Sequence, residues 1–279
     1  MKPTSQTYIE THTITDPGKR GRRNEDSFQF ETYALEDPDQ TLVHLAVVAD
    51  GVGGHQAGEI ASALAVKSVF EAFEGSDFSD PTWTLKSALL EANHSITSEA
   101  TRDESHLGMG STIACALVVD YALYIATLGD SRIYLIRDDK IRQLTIDHTW
   151  VQEAIENGVL TKEEAKSHPR RHLIRSYLGS TDPITPDLRL YLDDGENPEQ
   201  AKANQGLPLI GEDLILLCTD GLTDLVEDQE ICTALSSMKN IQNALQYLVD
   251  LANERGGHDN ITIAVLEIPR ESIEAPEED

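Results

Sequence analysis

From residue 42 to 49 the chain reads Leu-Val-His-Leu-Ala-Val-Val-Ala, apolar everywhere except at His44, which predicts a strand buried on both faces. The run 26–33 lies just before it, across the turn-like Glu36-Asp37-Pro38-Asp39, and predicts its hairpin partner. Further strands are expected at 8–15, 111–119, 121–128, 131–137, 141–145, 213–219 and 261–268. The four between 111 and 145 follow one another across short turns and read as a single antiparallel meander. Helical spacing appears at 59–73, through Ile60, Leu64, Val69, Phe70 and Phe73, and at 82–101, through Leu85, Leu89 and Ile96. A further helix at 240–254 runs into Gly256-Gly257, a natural stop. Between 146 and 178 the texture turns polar, with short helical pieces at 151–157 and 161–167, and this stretch reads as a small excursion from the domain. Residues 193–205 read as a polar loop.

No repeat, Pro-rich linker or composition shift divides the chain, so one domain over 1–268 is expected, with 146–178 as a subdomain and 269–279 as an acidic tail. Strand pairs outnumber βαβ units, which predicts an α+β fold of antiparallel sheets covered by helices. Charge then narrows the function. Acidic residues outnumber basic ones 49 to 22, for a formal charge of −27, and such a surface repels nucleic acid and anionic lipid. The N-terminal residues lack the apolar run of a signal peptide, and no apolar stretch approaches the roughly 20 residues needed to span a bilayer. A cytoplasmic protein is expected. Cys115, Cys218 and Cys232 have no CxxC spacing, and the first two sit in apolar strand-like runs, so no disulfide framework follows.

Candidate chemistry lies where strands end. Asp50 closes the apolar run 42–49, Asp130 follows Tyr-Ile-Ala-Thr-Leu-Gly, Asp220 closes Leu-Ile-Leu-Leu-Cys-Thr, and Asp259 directly precedes the last strand. Carboxylates converging in this way with few histidines suit Mg²⁺ or Mn²⁺ better than zinc. Asp is also a common turn residue after a strand, but the glycines of Asp50-Gly51-Val52-Gly53-Gly54, Gly129-Asp130 and Asp220-Gly221 strengthen the metal reading.

Six short motifs then occur in order: Asn-Glu-Asp-Ser at 24–27, Asp-Gly-Val-Gly-Gly-His at 50–55, Gly-Ser-Thr at 110–112, Gly-Asp-Ser-Arg at 129–132, Thr-Asp-Gly-Leu at 219–222 and Asp-Asn-Ile-Thr at 259–262. Together they resemble the PPM family, the type 2C metal-dependent protein phosphatases, over roughly residues 10 to 268. The resemblance implies a central sandwich of two antiparallel β-sheets flanked by helices. It implies hydrolysis of phosphoserine and phosphothreonine by a metal-activated water without a covalent intermediate. Asp50 would bridge two Mn²⁺ or Mg²⁺ ions, with the Gly51 carbonyl on one and Asp220 and Asp259 on the other. Asp130 and Asp220 match a pair that holds a third, weaker metal in bacterial members, and Glu25 and Asp26 match acids that orient metal-bound water. Phosphorylated proteins, including Ser/Thr kinases and their substrates, are the implied partners of a monomeric enzyme, with neither nucleic acid nor membrane involved.

Two positions depart from the family pattern. The Arg that usually holds substrate phosphate is replaced by Gly21, which leaves Arg20 and Arg22 as alternatives on either side. Val52 stands where animal members carry a candidate general-acid His, as in bacterial relatives, and His55 reads as a structural hydrogen-bonder. The excursion 146–178 resembles the bacterial flap subdomain, in which Arg170, Arg171 and Arg175 are open to substrate contact or to solvation.

Rival chemistries fare worse. No cysteine has an Arg six residues on, which excludes the Cys-x5-Arg phosphatases. Asp37-Pro38-Asp39-Gln40-Thr41 mimics the DxDxT of haloacid-dehalogenase-type phosphatases but lacks the apolar strand that must precede it. The remaining alternative is a pseudophosphatase of the same fold that binds phosphoproteins or kinases without turnover.

Overall fold

The computed structural model describes residues 1–19, 23–38, 40–52 and 57–270. Arg20, Arg22, Asp39, His55 and most of the acidic tail therefore lie outside the described residues. In chain order the elements are β1 (Lys2–Pro3), β2 (Glu10–Asp16), β3 (Asp26–Ala34), β4 (Leu42–Val52), α1 (Ala57–Glu74), α2 (Pro81–Arg102), β5 (Gly110–Ser111), β6 (Ile113–Val119), β7 (Ala122–Leu128), β8 (Arg132–Arg137) and β9 (Lys140–Gln143). They continue with α3 (Trp150–Glu156), α4 (Lys162–Lys166), α5 (Pro198–Ala203), β10 (Leu207–Pro208), β11 (Leu214–Cys218), α6 (Asp220–Thr223), α7 (Asp228–Ser237), α8 (Ile241–Glu254) and β12 (Ile261–Glu267).

Two antiparallel sheets result, ordered β1-β3-β4-β6-β7-β10 and β2-β12-β11-β8-β9, with β5 paired to the end of β4. The alternation of side chains along β4 builds the layers. Val43, Leu45, Val47 and Ala49 pack outward with Val69 and Phe73 of α1 and Leu85 and Leu89 of α2. Ala46 and Val48 point inward, into a layer shared with Ile133, Leu217 and Ala264 of the second sheet. The outer face of that sheet, through Tyr134, Leu216 and Val265, buries Ile231 of α7 and Leu245 and Leu248 of α8. The expected α+β sandwich of two antiparallel sheets flanked by helices is the observed architecture. No helix among the described residues is long and apolar enough to cross a membrane.

Two expectations need correction, and one element was unforeseen. The strands between 111 and 145 do not form one meander, because β6 and β7 pair in the first sheet whereas β8 and β9 pair in the second. The chain changes sheets at Gly129-Asp130, where Gly129 adopts φ +105°. The stretch 193–205 is not all loop, since Asn197 and Gln200 form a capping box that starts α5 with Pro198 in its first turn. Helix α7 was not anticipated; Glu227 and Glu230 form its capping box.

Residues 146–178 carry α3 and α4 and are closed at the root by main-chain bonds from Trp150 to Leu173 (2.8 Å) and from Arg175 to His148 (2.7 Å). Trp150 stacks on His168, with ring centroids 4.9 Å apart, and Arg170 lies over the same indole at 5.0 Å.

Candidate active site

Strand ends from both sheets meet at one edge of the sandwich. Asp26, opening β3, stands directly opposite Asp50 near the end of β4. Asp50 is held by its main chain: its N–H donates to Thr112 Oγ1 at 3.0 Å, and its carbonyl accepts from the Thr112 N–H at 2.9 Å and from Ser111 Oγ at 3.0 Å. The Gly51 N–H donates to the Glu25 carbonyl at 3.1 Å, which ties the Asn24-Glu25-Asp26 stretch to the strand end. From the second sheet, Asp220 opens α6 after β11, and Asp259 directly precedes β12. Gly221 packs so tightly on the Asn260 carbonyl that a Cβ there would overlap it.

Asn260 is the hub of this edge. It is buried, its Oδ1 accepts from the Glu25 N–H at 2.7 Å, and its Nδ2 donates to the Pro17 carbonyl at 3.0 Å. Its own N–H donates to Asp259 Oδ1 at 2.9 Å. Thr219 Oγ1 donates to Asp26 Oδ2 at 2.9 Å and accepts from the Thr262 N–H at 3.0 Å.

A cavity of about 540 Å³ collects Glu25, Asp50, Gly51, Asp220 and Asp259 on its walls, with Val52 at the same opening. Asp26 lies behind this wall. Asp130 faces instead a neighbouring cavity of about 880 Å³ between α3–α4 and α6–α7, and Asp220 lines both. The structure thus brings together all the carboxylates expected for the two core ions, and it sets Asp130 one cavity away.

Burial and mutual proximity disfavour the charged form of several of these carboxyls. Burial, then Asp26 and Asp220, hold the Asp50 carboxyl well above the usual range. Burial, then Asp130, Asp224 and Asp259, do the same to Asp220. Burial above all pushes Asp26 up to about 7, against hydrogen bonds from Thr262 and Thr219 that favour its charge. Asp130 is pushed up to about 7 by burial and then by Asp147. Asp26 Oδ1 and Asp220 Oδ1 are buried with no hydrogen-bond partner among the described residues. Orphaned oxygens among mutually repelling carboxylates, with hard oxygen donors throughout, fit divalent cations of the Mg²⁺ and Mn²⁺ type.

Residues 18–253 match the family Protein phosphatase 2C. The chain belongs to that family. It is 32% identical over 264 residues to a putative protein phosphatase 2C-type of Streptococcus pyogenes, covering 93% of this chain and 98% of the relative. The solved serine/threonine phosphatase of S. agalactiae superposes with a TM-score of 0.79 at 32% identity, over 94% of this chain and 100% of that one. The catalytic domain of the serine/threonine protein phosphatase PstP, solved in complex with two manganese ions, superposes with a TM-score of 0.74 at 30% identity, over 94% and 98% of the two chains.

In this protein phosphatase 2C chain the cavity also recruits residues that the sequence reading left unassigned. His172 and Asp224 pair at 3.1 Å, and one donor atom each from His172, Asp220 and Asp224 lies within 4.8 Å of the others. Asp224 follows Asp220 by one helical turn, a spacing that was visible in the sequence. His258, beside Asp259, lines the same cavity. The three arginines of 146–178 separate cleanly. Arg170 is spent on Trp150, and Arg175 Nε pairs with Glu153 at 3.2 Å. Arg171 lines both cavities and makes no side-chain hydrogen bond or ion pair among the described residues. The proposed phosphate-holding Arg20 and Arg22 lie outside the described residues.

Proposed function

We propose that this chain hydrolyses phosphoserine and phosphothreonine in proteins at two Mn²⁺ or Mg²⁺ ions held by Asp50, the Gly51 carbonyl, Asp220 and Asp259, with Asp130 and Asp220 taking a third. One observation carries the reading: Asp50, Asp220 and Asp259 line a single cavity, and the buried Asp220 Oδ1 has no hydrogen-bond partner among the described residues. Bound there, the two ions would supply Lewis acidity toward the phosphoryl oxygens and make a water nucleophilic near neutral pH.

The chain's own groups do the rest. Glu25 faces the cavity from a backbone fixed by Asn260, and Asp26 supports the wall from behind through Thr219. Arg171 offers a guanidinium fork to the incoming phosphoryl group or to the peptide beside it. Val52 keeps one rim apolar, while His172 and His258 line the same cavity. A cysteine nucleophile is unsupported, because Cys115 and Cys218 are fully buried in strands and burial pushes both thiols far above their ordinary range. In this reading residues 146–178 act as a flap beside the substrate, and the enzyme works as a cytoplasmic monomer on phosphoproteins that include Ser/Thr kinases and their substrates.

The test is release of phosphate from p-nitrophenyl phosphate and from a phosphothreonine peptide with Mn²⁺, wild type beside Asp220→Ala. Turnover that needs Mn²⁺ and disappears in the variant is expected. Absence of Mn²⁺-dependent release from the wild type would sink the enzyme reading in favour of a phosphoprotein-binding pseudophosphatase.

A further inference from the structure

His148 lines neither cavity, yet three chain segments converge on it. Its main-chain N–H donates to the Gly129 carbonyl at 2.9 Å, and its own carbonyl accepts from the Arg175 N–H at 2.7 Å. Its ring closes the other half of the same corner, since the Gly129 N–H points at Nδ1 at 3.0 Å. Both polar atoms of Gly129 are thereby taken by one residue. Gly129 has no room to escape, because Thr112 sits where its side chain would be and its φ of +105° is one that few other residues adopt.

The ring geometry fixes its protonation state by donor logic alone. A backbone N–H can only donate, so Nδ1 must present a lone pair, and the proton of the neutral ring therefore lies on Nε2. Nε2 stands 3.0 Å from Asp187 Oδ2, an acceptor that is itself immobile. Arg189 grips that carboxylate with Nε and Nη2, and the main chain of Asp187 pairs with Thr127 in both directions at 2.9 and 3.0 Å. His148 and Asp187 are partly buried, with side-chain exposures of 13% and 10%.

We propose that His148 is a positioning residue for Asp130: as the Nε2-protonated tautomer clamped by Asp187, it fixes the Gly129-Asp130 corner and the root of segment 146–178 in one geometry. This rests on the reading of Asp130 as a cation ligand. The clamp aims the Asp130 carboxylate into the larger cavity and sets the height at which Arg171 and His172 overhang the smaller one.

The experiment uses the full chain. Nitrogen-15 NMR of the imidazoles in the Mg²⁺-loaded wild type is expected to show a bare Nδ1 and a protonated Nε2 at His148; a proton on Nδ1 overturns the proposal. Mn²⁺ titration of the metal-stripped chain by electron paramagnetic resonance then compares wild type, Asp130→Asn, His148→Ala and His148→Asn. His148→Ala is expected to weaken the Asp130-dependent class of bound Mn²⁺ by about 10-fold or more while leaving tighter binding in place, in line with the loss of a group that orients a ligand. His148→Asn keeps an acceptor for the Gly129 N–H and is expected to recover most of that affinity, which a purely structural loss would not do. If Asp130→Asn removes a class of Mn²⁺ and neither His148 variant shifts it, the clamp is refuted alone; if Asp130→Asn changes nothing, the reading of Asp130 and the clamp fall together.

Discussion

Replacing Asp220 should separate two demands that the wild-type site makes on one carboxylate. In metal-stripped protein near pH 8, Asp220 is surrounded by Asp130, Asp224, Asp259 and Asp26, and its Oδ1 is buried without a donor among the described residues. An orphaned buried polar group costs about 1–3 kcal/mol, and more when charged. Asp220→Asn removes the charge at almost constant shape. With roughly 2–4 °C of Tm per kcal/mol for a domain near this size, the metal-stripped variant is expected to melt about 2–12 °C above the metal-stripped wild type. Metal reverses the order: a ligand at a hundredfold excess over its Kd stabilises by about 2.7 kcal/mol, and a variant lacking one of the proposed ligands should gain far less. The assay is differential scanning calorimetry of both proteins with a chelator and with Mn²⁺. A metal-stripped variant less stable than the wild type would refute the claim that this carboxylate is strained by its neighbours, and an unchanged Mn²⁺ shift would refute its role as a ligand. The pH dependence adds a second check. The folded pKa values of Asp26 and Asp130, about 7, lie above the unfolded value near 4, so their contribution to stability is complete below about 4 and is lost as pH rises through 7. Chelator-treated wild type should therefore be less stable at pH 8 than at pH 5.5.

Arg171→Ala should lower kcat/KM for a phosphothreonine peptide by about 10- to 100-fold, the worth of a charged hydrogen bond of roughly 1.5–3 kcal/mol, with Arg171→Lys recovering part; equal steady-state constants would remove Arg171 from substrate binding. Gly129→Ala should destabilise by about 2 kcal/mol or more in urea unfolding, because it combines a positive φ with a clash against Thr112, and a neutral result would contradict the packing of this corner. His44 is fully buried with Nε2 unpaired among the described residues, and burial lowers its pKa to about 4. Its folded pKa lies below the unfolded one, so the stability it contributes is present above about 6.5 and is lost as pH falls toward 4, by roughly 3 kcal/mol in all. His44→Gln should flatten the urea stability profile between pH 4.5 and 6.5, and an unchanged slope would exclude His44 as its source.

Most of the sandwich was readable because burial on one or both faces leaves a periodic mark. The apolar run of β4 announced a strand covered on both sides, and Leu85, Leu89 and Ile96 marked the buried face of α2. The sheet change at Gly129 left no such mark, since β7 and β8 look alike whether they pair with each other or with partners elsewhere. Helix α5 buries only Ala201, so its polar sequence read as loop, although Asn197-Pro198 and Gln200 held its start signal. The same division runs through the site. Asp50, Asp220 and Asp259 could be found because each ends or precedes an apolar strand. Thr112, Thr219 and Asn260 could not be given roles, because the groups they hold lie 62, 193 and 235 residues away along the chain. Among the three arginines near 170, only the occupied partners Trp150 and Glu153 single out Arg171.

The seam at Gly129-Asp130 bears on how the two halves of the sandwich stay aligned. Asp26 and Asp50 belong to one sheet, Asp220 and Asp259 border the other, and the surface between the sheets includes Ala46, Ala114, Ala116 and Ala264. Val48, Val118, Ile133, Ile215 and Leu217 interleave with those alanines, so side-chain packing already resists sliding of one sheet upon the other. Cations gripped by carboxylates from both sheets would add a rivet at the edge of that joint, tying catalytic alignment to sheet alignment.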